Sequence, residues 1–165
     1  MVVIYVSTTH PVNPPEKASD ILTHDELWAA LVAKARHPEE FVAAIETSRI
    51  VREDANGLTR AVLFKGDLGK GGEVEEVIEY EGKMNINFSV PKTGQLVQNI
   101  ISSSSTGTPE ELFLTFTFRW PHPDVAEGSE ETKKLEDKYW AMCRHVVPHT
   151  IEVARKMKAE GRLGA

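Results

Sequence analysis

Cysteine, long apolar runs and positive charge are all scarce in this chain, and each shortage removes a class of protein. Cys143 is the only cysteine. It has no partner for an internal disulfide and leaves no Cys-based zinc cluster to build. A reducing, cytoplasmic setting is the corresponding expectation. No stretch approaches the 18 or so consecutive apolar residues of a membrane span, so no membrane insertion is expected. The opening MVVIYVSTTH lacks a basic flank, and its apolar run is too short for a signal peptide. Lys and Arg number 19 against 25 Asp and Glu, a formal net charge of −6. That balance argues against nucleic acid, whose binders carry a basic stripe, and against an anionic membrane surface.

Metal and phosphate motifs are missing as well. His145 and His149 stand four apart, a spacing that can place two imidazoles on one ion, but no acidic ligand stands between them in the H-E-x-x-H manner. No metal and no cofactor are expected. The segment GDLGKGG (66–72) lacks the GxxxxGK[ST] spacing and leads into a strand rather than a helix. It reads as a mobile hairpin loop, with gating of a pocket as its functional alternative. No repeat is visible. Residues 1–165 are expected to form one domain.

What remains has a clear order. Val2–Thr8 is a β-branched and aromatic run, a first strand. HPVNPP (10–15) is extended and hostile to helix. Thr23 and Glu26 form a capping-box pattern, and Leu27, Leu31 and Ala35 follow at helical spacing. Pro38 with Glu39 and Glu40 suits the start of a second short helix, whose apolar face would be Phe41, Ala44 and Ile45. From Ser48 the period changes from 3.6 to 2. Strands are predicted at 48–53, 58–65, 73–80, 83–90, 96–103 and 112–120. An Asn-Gly turn (DANG, 54–57) joins the first two, and Glu81-Gly82 joins the third and fourth. One long helix follows from Ser129 to Gly161, with Leu135, Tyr139, Met142, Val146, His149, Val153 and Met157 on one face. Pro148 within it removes a hydrogen bond and predicts a kink. The fold class is α+β: a curved antiparallel sheet of six to seven strands wrapped on a long C-terminal helix, with two short helices after strand one.

This order resembles the helix-grip fold of the START and birch-pollen-allergen superfamily. The segments THDELWAALVAKARHPEEFVAAIE, GLTRAVLFKG, NIISSSS and ELFLTFTFRW are similar, more narrowly, to the AtaL-like family of fungi and bacteria. That family takes its name from a protein of the acetylaranotin biosynthetic cluster. The likeness spans about residues 2 to 158. It rests on fold motifs rather than catalytic signatures, so it carries over no catalytic residue. It implies a hydrophobic ligand cavity between sheet and long helix. Superfamily members include lipid carriers, hormone receptors, polyketide cyclases and condensing enzymes.

Period 2 assigns the strand faces. The inward sets are Leu58, Arg60, Val62 and Phe64; Val74, Glu76, Ile78 and Tyr80; Met84, Ile86, Phe88 and Val90; and Leu112, Leu114, Phe116, Phe118 and Trp120. In 96–103 two readings stay open: Leu96, Gln98 and Ile100 inward, or Val97, Asn99 and Ile101. The expected ligand contacts are Arg60, Val62, Phe64, Ile78, Tyr80, Ile86, Phe88, Leu114, Phe116 and Phe118 from the sheet, with Tyr139, Met142 and Val146 from the helix. Arg60 and Glu76 interrupt apolar faces, and a buried charge demands a partner. They form either a structural salt bridge or a polar dyad on a cavity floor, where Glu76 could act as general acid or base. His149, on the helix stripe, is the second candidate for proton transfer, against the plainer role of a histidine satisfied by a carbonyl. Tyr139 could donate into the cavity, and Cys143 reads as a small buried hydrophobe.

Two functions from different classes meet these features. One is a binding module for a bulky hydrophobic small molecule, such as a polyketide or peptide-derived secondary metabolite. The other is a cyclase or dehydratase acting on such a molecule with acid–base assistance. Convergence of titratable groups inside one apolar site separates them.

Overall fold

The computed structural model describes residues 1–164. The elements are β1 (Val2–Pro11), α1 (His24–Arg36), β2 (Ile45–Asp54), β3 (Gly57–Phe64), β4 (Val74–Glu81), β5 (Asn85–Val90), β6 (Gln95–Ser103), β7 (Leu112–His122) and α2 (Glu130–Ala159). The seven strands form one antiparallel sheet in the order β1-β7-β6-β5-β4-β3-β2. The first two strands of the chain therefore lie on opposite edges, and α1 bridges the sheet between them. This is the helix-grip arrangement, with α2 as the covering helix.

Local chemistry accounts for the boundaries. Thr23 caps α1 by accepting from the Glu26 N–H (3.2 Å), and Glu26 accepts from the Thr23 N–H (2.9 Å), closing the capping box. Ser129 caps α2 through the Thr132 N–H. The DANG turn needs glycine at its end. Gly57 has φ +152°, and a Cβ there would lie 2.0 Å from the Ile78 carbonyl oxygen. β2 meets β3 with two register irregularities, between Ile45 and Thr47 and between Ile50 and Arg52.

The inner face of the sheet carries the core. Register places Val6, Phe118, Val97, Phe88, Ile78 and Leu58 in one row across six strands. Val97 and Phe88 are paired, as are Asn99 and Phe116, so β6 turns Val97, Asn99 and Ile101 inward. The open choice on this strand resolves that way. Leu27, Ala30, Leu31 and Ala35 of α1 are wholly buried above the sheet. α2 buries Cys143, Val147, Thr150, Ile151, Ala154 and Met157.

Several expectations change. The second short helix is a single 3-10 turn, Pro38–Glu40. Ile45 is drawn into β2 opposite Phe64, and the carbonyls of Ala43 and Ala44 accept from Lys65 instead of continuing a helix. The buried stripe of α2 is displaced by one residue from the expected one. Leu135, Tyr139, Met142 and Val146 flank it half-buried, and His149 is exposed. Pro148, where a kink is predicted, lies inside α2, which is helical on both sides of it. Met84 lies in the three-residue turn Gly82–Met84 and is 51% exposed rather than inward. The loop 66–71 does join the antiparallel pair β3–β4 as a hairpin connection, and it carries a 3-10 turn.

Candidate ligand site

Arg60 and Glu76 do meet. They are direct cross-strand partners on β3 and β4, and both Nε and Nη2 of Arg60 lie 2.6 Å from Glu76 Oε2. The arginine side chain is 5% exposed. Its Nη1 donates to the carbonyls of Lys34 (2.9 Å) and Ala35 (2.8 Å), in the last turn of α1. Those carbonyls are orphans of the helix end and carry its negative dipole, so a guanidinium suits them. Arg60 thus ties α1 to the sheet, and Glu76 balances its charge. The structure accounts for this pair as architecture.

A third charge, unanticipated from the sequence, sits beside them. Lys34 of α1 is buried, and its ammonium donates to Asn99 Oδ1 on β6 at 2.7 Å. The Phe88 and Phe116 rings flank it, with Nζ 4.7 and 4.5 Å from their centroids. Cation–π contacts of this kind offset part of the desolvation cost. Among the described residues no carboxylate pairs with it, and Glu76 is engaged by Arg60. Burial above all, with help from the neighbouring Arg60 charge, lowers the Lys34 pKa to about 7, against a smaller opposing pull from Glu76. A signal was present in the sequence. Lys34 stands three residues after Leu31 and seven after Leu27, on the apolar face of α1.

Two further polar atoms on this side lack partners among the described residues. Asn99 is fully buried, and its Nδ2 has no hydrogen-bond acceptor. The Tyr80 hydroxyl is likewise buried and unpaired, its ring set edge-on to Trp28 at 5.9 Å. Burial raises the pKa of that phenol, so it stays protonated through the neutral range.

The apolar surroundings divide in two. Val62, Ile78, Ile86, Phe88, Leu114 and Phe116 are buried core. Phe64 and Tyr80 are half-buried, as are Val97, Trp120, Tyr139, Met142 and Val146. Phe118 stacks on Trp120 (4.7 Å), and Trp120 lies 4.0 Å from the Tyr139 ring. Phe118 is the register partner of Val97 on β6, so through this buried ring the contacts run from β6 across β7 to Tyr139 of α2, and Met142 and Val146 follow on the same helix, half-buried. The Tyr139 hydroxyl and His122 Nε2, on β7, share a hydrogen bond of 3.0 Å. His149 joins none of these groups. Cys143 is buried, and burial pushes its thiol pKa up, which leaves it inert.

Two surface depressions lie away from the charges. One of about 450 Å³ straddles the β1–β7–β6 edge and involves Tyr5, Leu96, Gln98, Arg119 and Trp140. One of about 140 Å³ lies at the β2–β3 turn and β4. Neither is lined by Lys34, Arg60, Glu76 or Asn99, so the expected ready-made cavity at the polar floor is not what these two supply. Among the described residues, no group of three or more His, Cys, Asp or Glu is placed to hold a metal ion, and no helix is long and apolar enough to cross a membrane.

Comparison with known proteins places this geometry. The crystal structure of the di-domain ARO/CYC StfQ from the steffimycin biosynthetic pathway superposes with TM-score 0.67 at 14% identity, over 99% of this chain and 53% of that one. The Zhui aromatase/cyclase from Streptomyces sp. R1128 does so with TM-score 0.63 at 13% identity, over 99% and 98%. At these identities the likeness is one of fold. Acetylaranotin biosynthesis cluster protein L of Aspergillus terreus (strain NIH 2624 / FGSC A1156) is 23% identical over 155 residues, 93% of this chain and 88% of that protein. The family model described as AtaL, acetylaranotin biosynthesis cluster protein L, matches residues 6–161, and the chain belongs to that family.

Proposed function

We propose that residues 1–165 act as one cytoplasmic domain that binds a bulky, mostly apolar small molecule, a polyketide or peptide-derived secondary metabolite, between the sheet and α2. The observation that carries this reading is the half-buried strip Val97–Trp120–Tyr139–Met142–Val146, which runs beside a buried polar cluster. Apolar surface of this kind holds a ligand body, and a few fixed polar groups orient it. The relatives support the reading: aromatase/cyclases share the fold, and the curated relative belongs to a biosynthetic cluster. The unbranched Met142 is the side chain suited to yield as a ligand enters.

Native mass spectrometry of the purified protein, with identification of what it releases, tests for a carried ligand. Titration with the neutral fluorophore N-phenyl-1-naphthylamine tests the place. Saturable enhancement is expected, weakened at least about tenfold by Val97→Glu or Met142→Glu, a change of about 1.4 kcal/mol. Tyr5→Ala, at an exposed position on β1, should leave it unchanged. Loss in Tyr5→Ala alone, or no saturable binding, overturns the proposal.

A second reading, acid–base assistance to cyclisation or dehydration of the bound molecule, draws on Lys34, whose amine is set near neutrality. Glu76 serves that reading only if it leaves Arg60. His149 is exposed on α2, apart from Lys34 and Glu76. Turnover of a bound metabolite, abolished in Lys34→Met with binding retained, distinguishes enzyme from carrier.

A further inference from the structure

We propose that Lys34 and Asn99 together form a receptor for an acidic hydroxyl, a phenol or enol on a conjugated ring system, and bind it as the oxyanion. This rests on the ligand-binding reading above and assigns the chemistry of the ligand's polar end. The first ground is unused donor capacity. An ammonium has three N–H donors, and Lys34 spends one on Asn99 Oδ1. The Asn99 Nδ2 donors have no acceptor although the residue is fully buried. Buried donors without acceptors are rare and costly, which points to a missing group. Because the Lys34 ammonium must meet the amide oxygen, the amide nitrogen of Asn99 is left free on the same side chain. One oxygen placed against both groups satisfies them together.

The second ground is charge. The groups facing Lys34 are Arg60 from β3 and Glu76 from β4, while β5, β6 and β7 present Phe88, Asn99 and Phe116. Glu76 compensates Arg60. A protonated Lys34 therefore leaves one uncompensated positive charge in the core. A ligand oxyanion supplies the missing negative charge.

The third ground separates phenols and enols from carboxylates. A carboxylate arrives charged and must shed its water to reach a buried site. A phenol or enol arrives neutral and ionises in place. The ligand O–H bond breaks, an N–H bond forms on the neutral Lys34 amine, and the electron pair of the O–H bond stays on oxygen. No net charge is transferred from water. Burial keeps part of Lys34 neutral above about pH 7, and the oxyanion formed beside the new ammonium supplies the opposite charge whose lack lowers its proton affinity. Delocalisation over an aromatic body matches the Phe88 and Phe116 rings beside Nζ. Val97 is the next inward position from Asn99 on β6, is half-buried and pairs with Phe118, and the ligand body would lie on that side.

The test uses 2-naphthol, whose anion absorbs at longer wavelength than its neutral form, with 2-methoxynaphthalene and 2-naphthoate as comparators. Bound 2-naphthol is expected to show the naphtholate band at a pH where the free compound is neutral. Its apparent pKa should fall by at least about one unit, a tenfold shift in equilibrium. It should bind about tenfold more tightly than 2-methoxynaphthalene. Lys34→Met should abolish the band and equalise the two ligands, while N-phenyl-1-naphthylamine still binds and shows that the fold and the apolar strip are intact. Asn99→Leu should reduce the pKa shift. A bound 2-naphthol that stays neutral overturns the inference, and so does a band that survives Lys34→Met. Tighter binding of 2-naphthoate overturns it in favour of a carboxylate receptor. If the neutral fluorophore binds and 2-naphthol does not, the inference alone fails. If neither binds, the ligand-binding reading fails and takes this inference with it.

Discussion

Lys34 shows how one side chain can be placed against its own solvation. The ammonium is buried between two aromatic rings with one neutral acceptor. Its folded pKa, about 7, lies below the ordinary lysine value of 10.5. Between those values the unfolded chain holds a proton that the native protein has shed. Unfolding then takes up a proton, so this residue makes stability rise with pH from about 7 towards 10. Below pH 7 both states are protonated and the penalty of burial is paid in full. Lys34→Met should flatten that rise and should stabilise the protein most at pH 6, by a few kcal/mol at roughly 1.4 kcal/mol per unit of pKa. Urea denaturation of both proteins at pH 6, 8 and 9.5 checks this; a parallel pH dependence in the two would contradict it. At this scale the sequence was only partly legible. Arg60 and Glu76 stood out because each broke an apolar alternation, and their pairing follows from the β3–β4 register. Lys34 escaped notice because lysine on a helix usually reaches water along its stem. Its burial depends on how α1 crosses the sheet, which no local pattern encodes. The same holds for Asn99, whose direction was set only when β6 found its neighbours.

At the scale of elements, strands and caps were the most readable. Period-2 alternation located all seven strands closely, and the capping box located α1 to the residue. The errors fell where tertiary contacts overrode local preference. Pro38–Glu40 began a helix that Ile45 could not continue once it paired with Phe64. The face of α2 was displaced by one residue because half-buried Tyr139, Met142 and Val146 look in sequence like core. The β2–β3 turn falls at DANG as expected, but its central pair is Ala55-Asn56 rather than Asn-Gly, and Gly57, which closes it opposite Asp54, makes a sharp test. Gly57→Ala drives a Cβ into the Ile78 carbonyl at φ +152°. It should cost roughly 1–3 kcal/mol, the range for a strained backbone position. Gly82→Ala, at φ +58° with nothing within 4 Å, should cost less, about 1 kcal/mol. Denaturation midpoints of the two variants give the comparison; equal losses would show that the carbonyl contact relaxes freely.

For the whole molecule, one buried asparagine joins parts that are far apart in the chain. Asn13 Nδ2 donates to the carbonyls of Leu22 (2.9 Å) and Pro109 (3.0 Å). Its Oδ1 accepts from the Leu22 N–H (2.8 Å) and from Arg155 of α2 (3.1 Å). Arg155 also donates to the Val12 carbonyl and meets Asp20. The proline-rich segment, the entry to α1, the approach to β7 and the C-terminal half of α2 thus share one knot. With several buried hydrogen bonds at about 0.5–1.5 kcal/mol each, Asn13→Ala should lose roughly 2–4 kcal/mol. A thermal unfolding scan measures it, and a loss below about 0.5 kcal/mol would show that water replaces the amide. HPVNPP was legible as extended and helix-hostile. The reason for its asparagine lay in residues 22, 109 and 155, beyond the reach of any window along the chain.

The strand order has a consequence for the making of the protein. β1 leaves the ribosome first, and its partner β7 comes near the end; Thr9 and Thr115, bonded through their hydroxyls, are 106 positions apart. Until β7 emerges, Val2, Ile4 and Val6 have no strand to pair with. The hairpins β2–β3 through β5–β6 close early and locally, while the seam at β1 waits for loop closure over most of the chain. Folding dominated by such distant pairing is slow, on the order of milliseconds to seconds. Of the seven strands, the earliest in the chain pairs only with the latest.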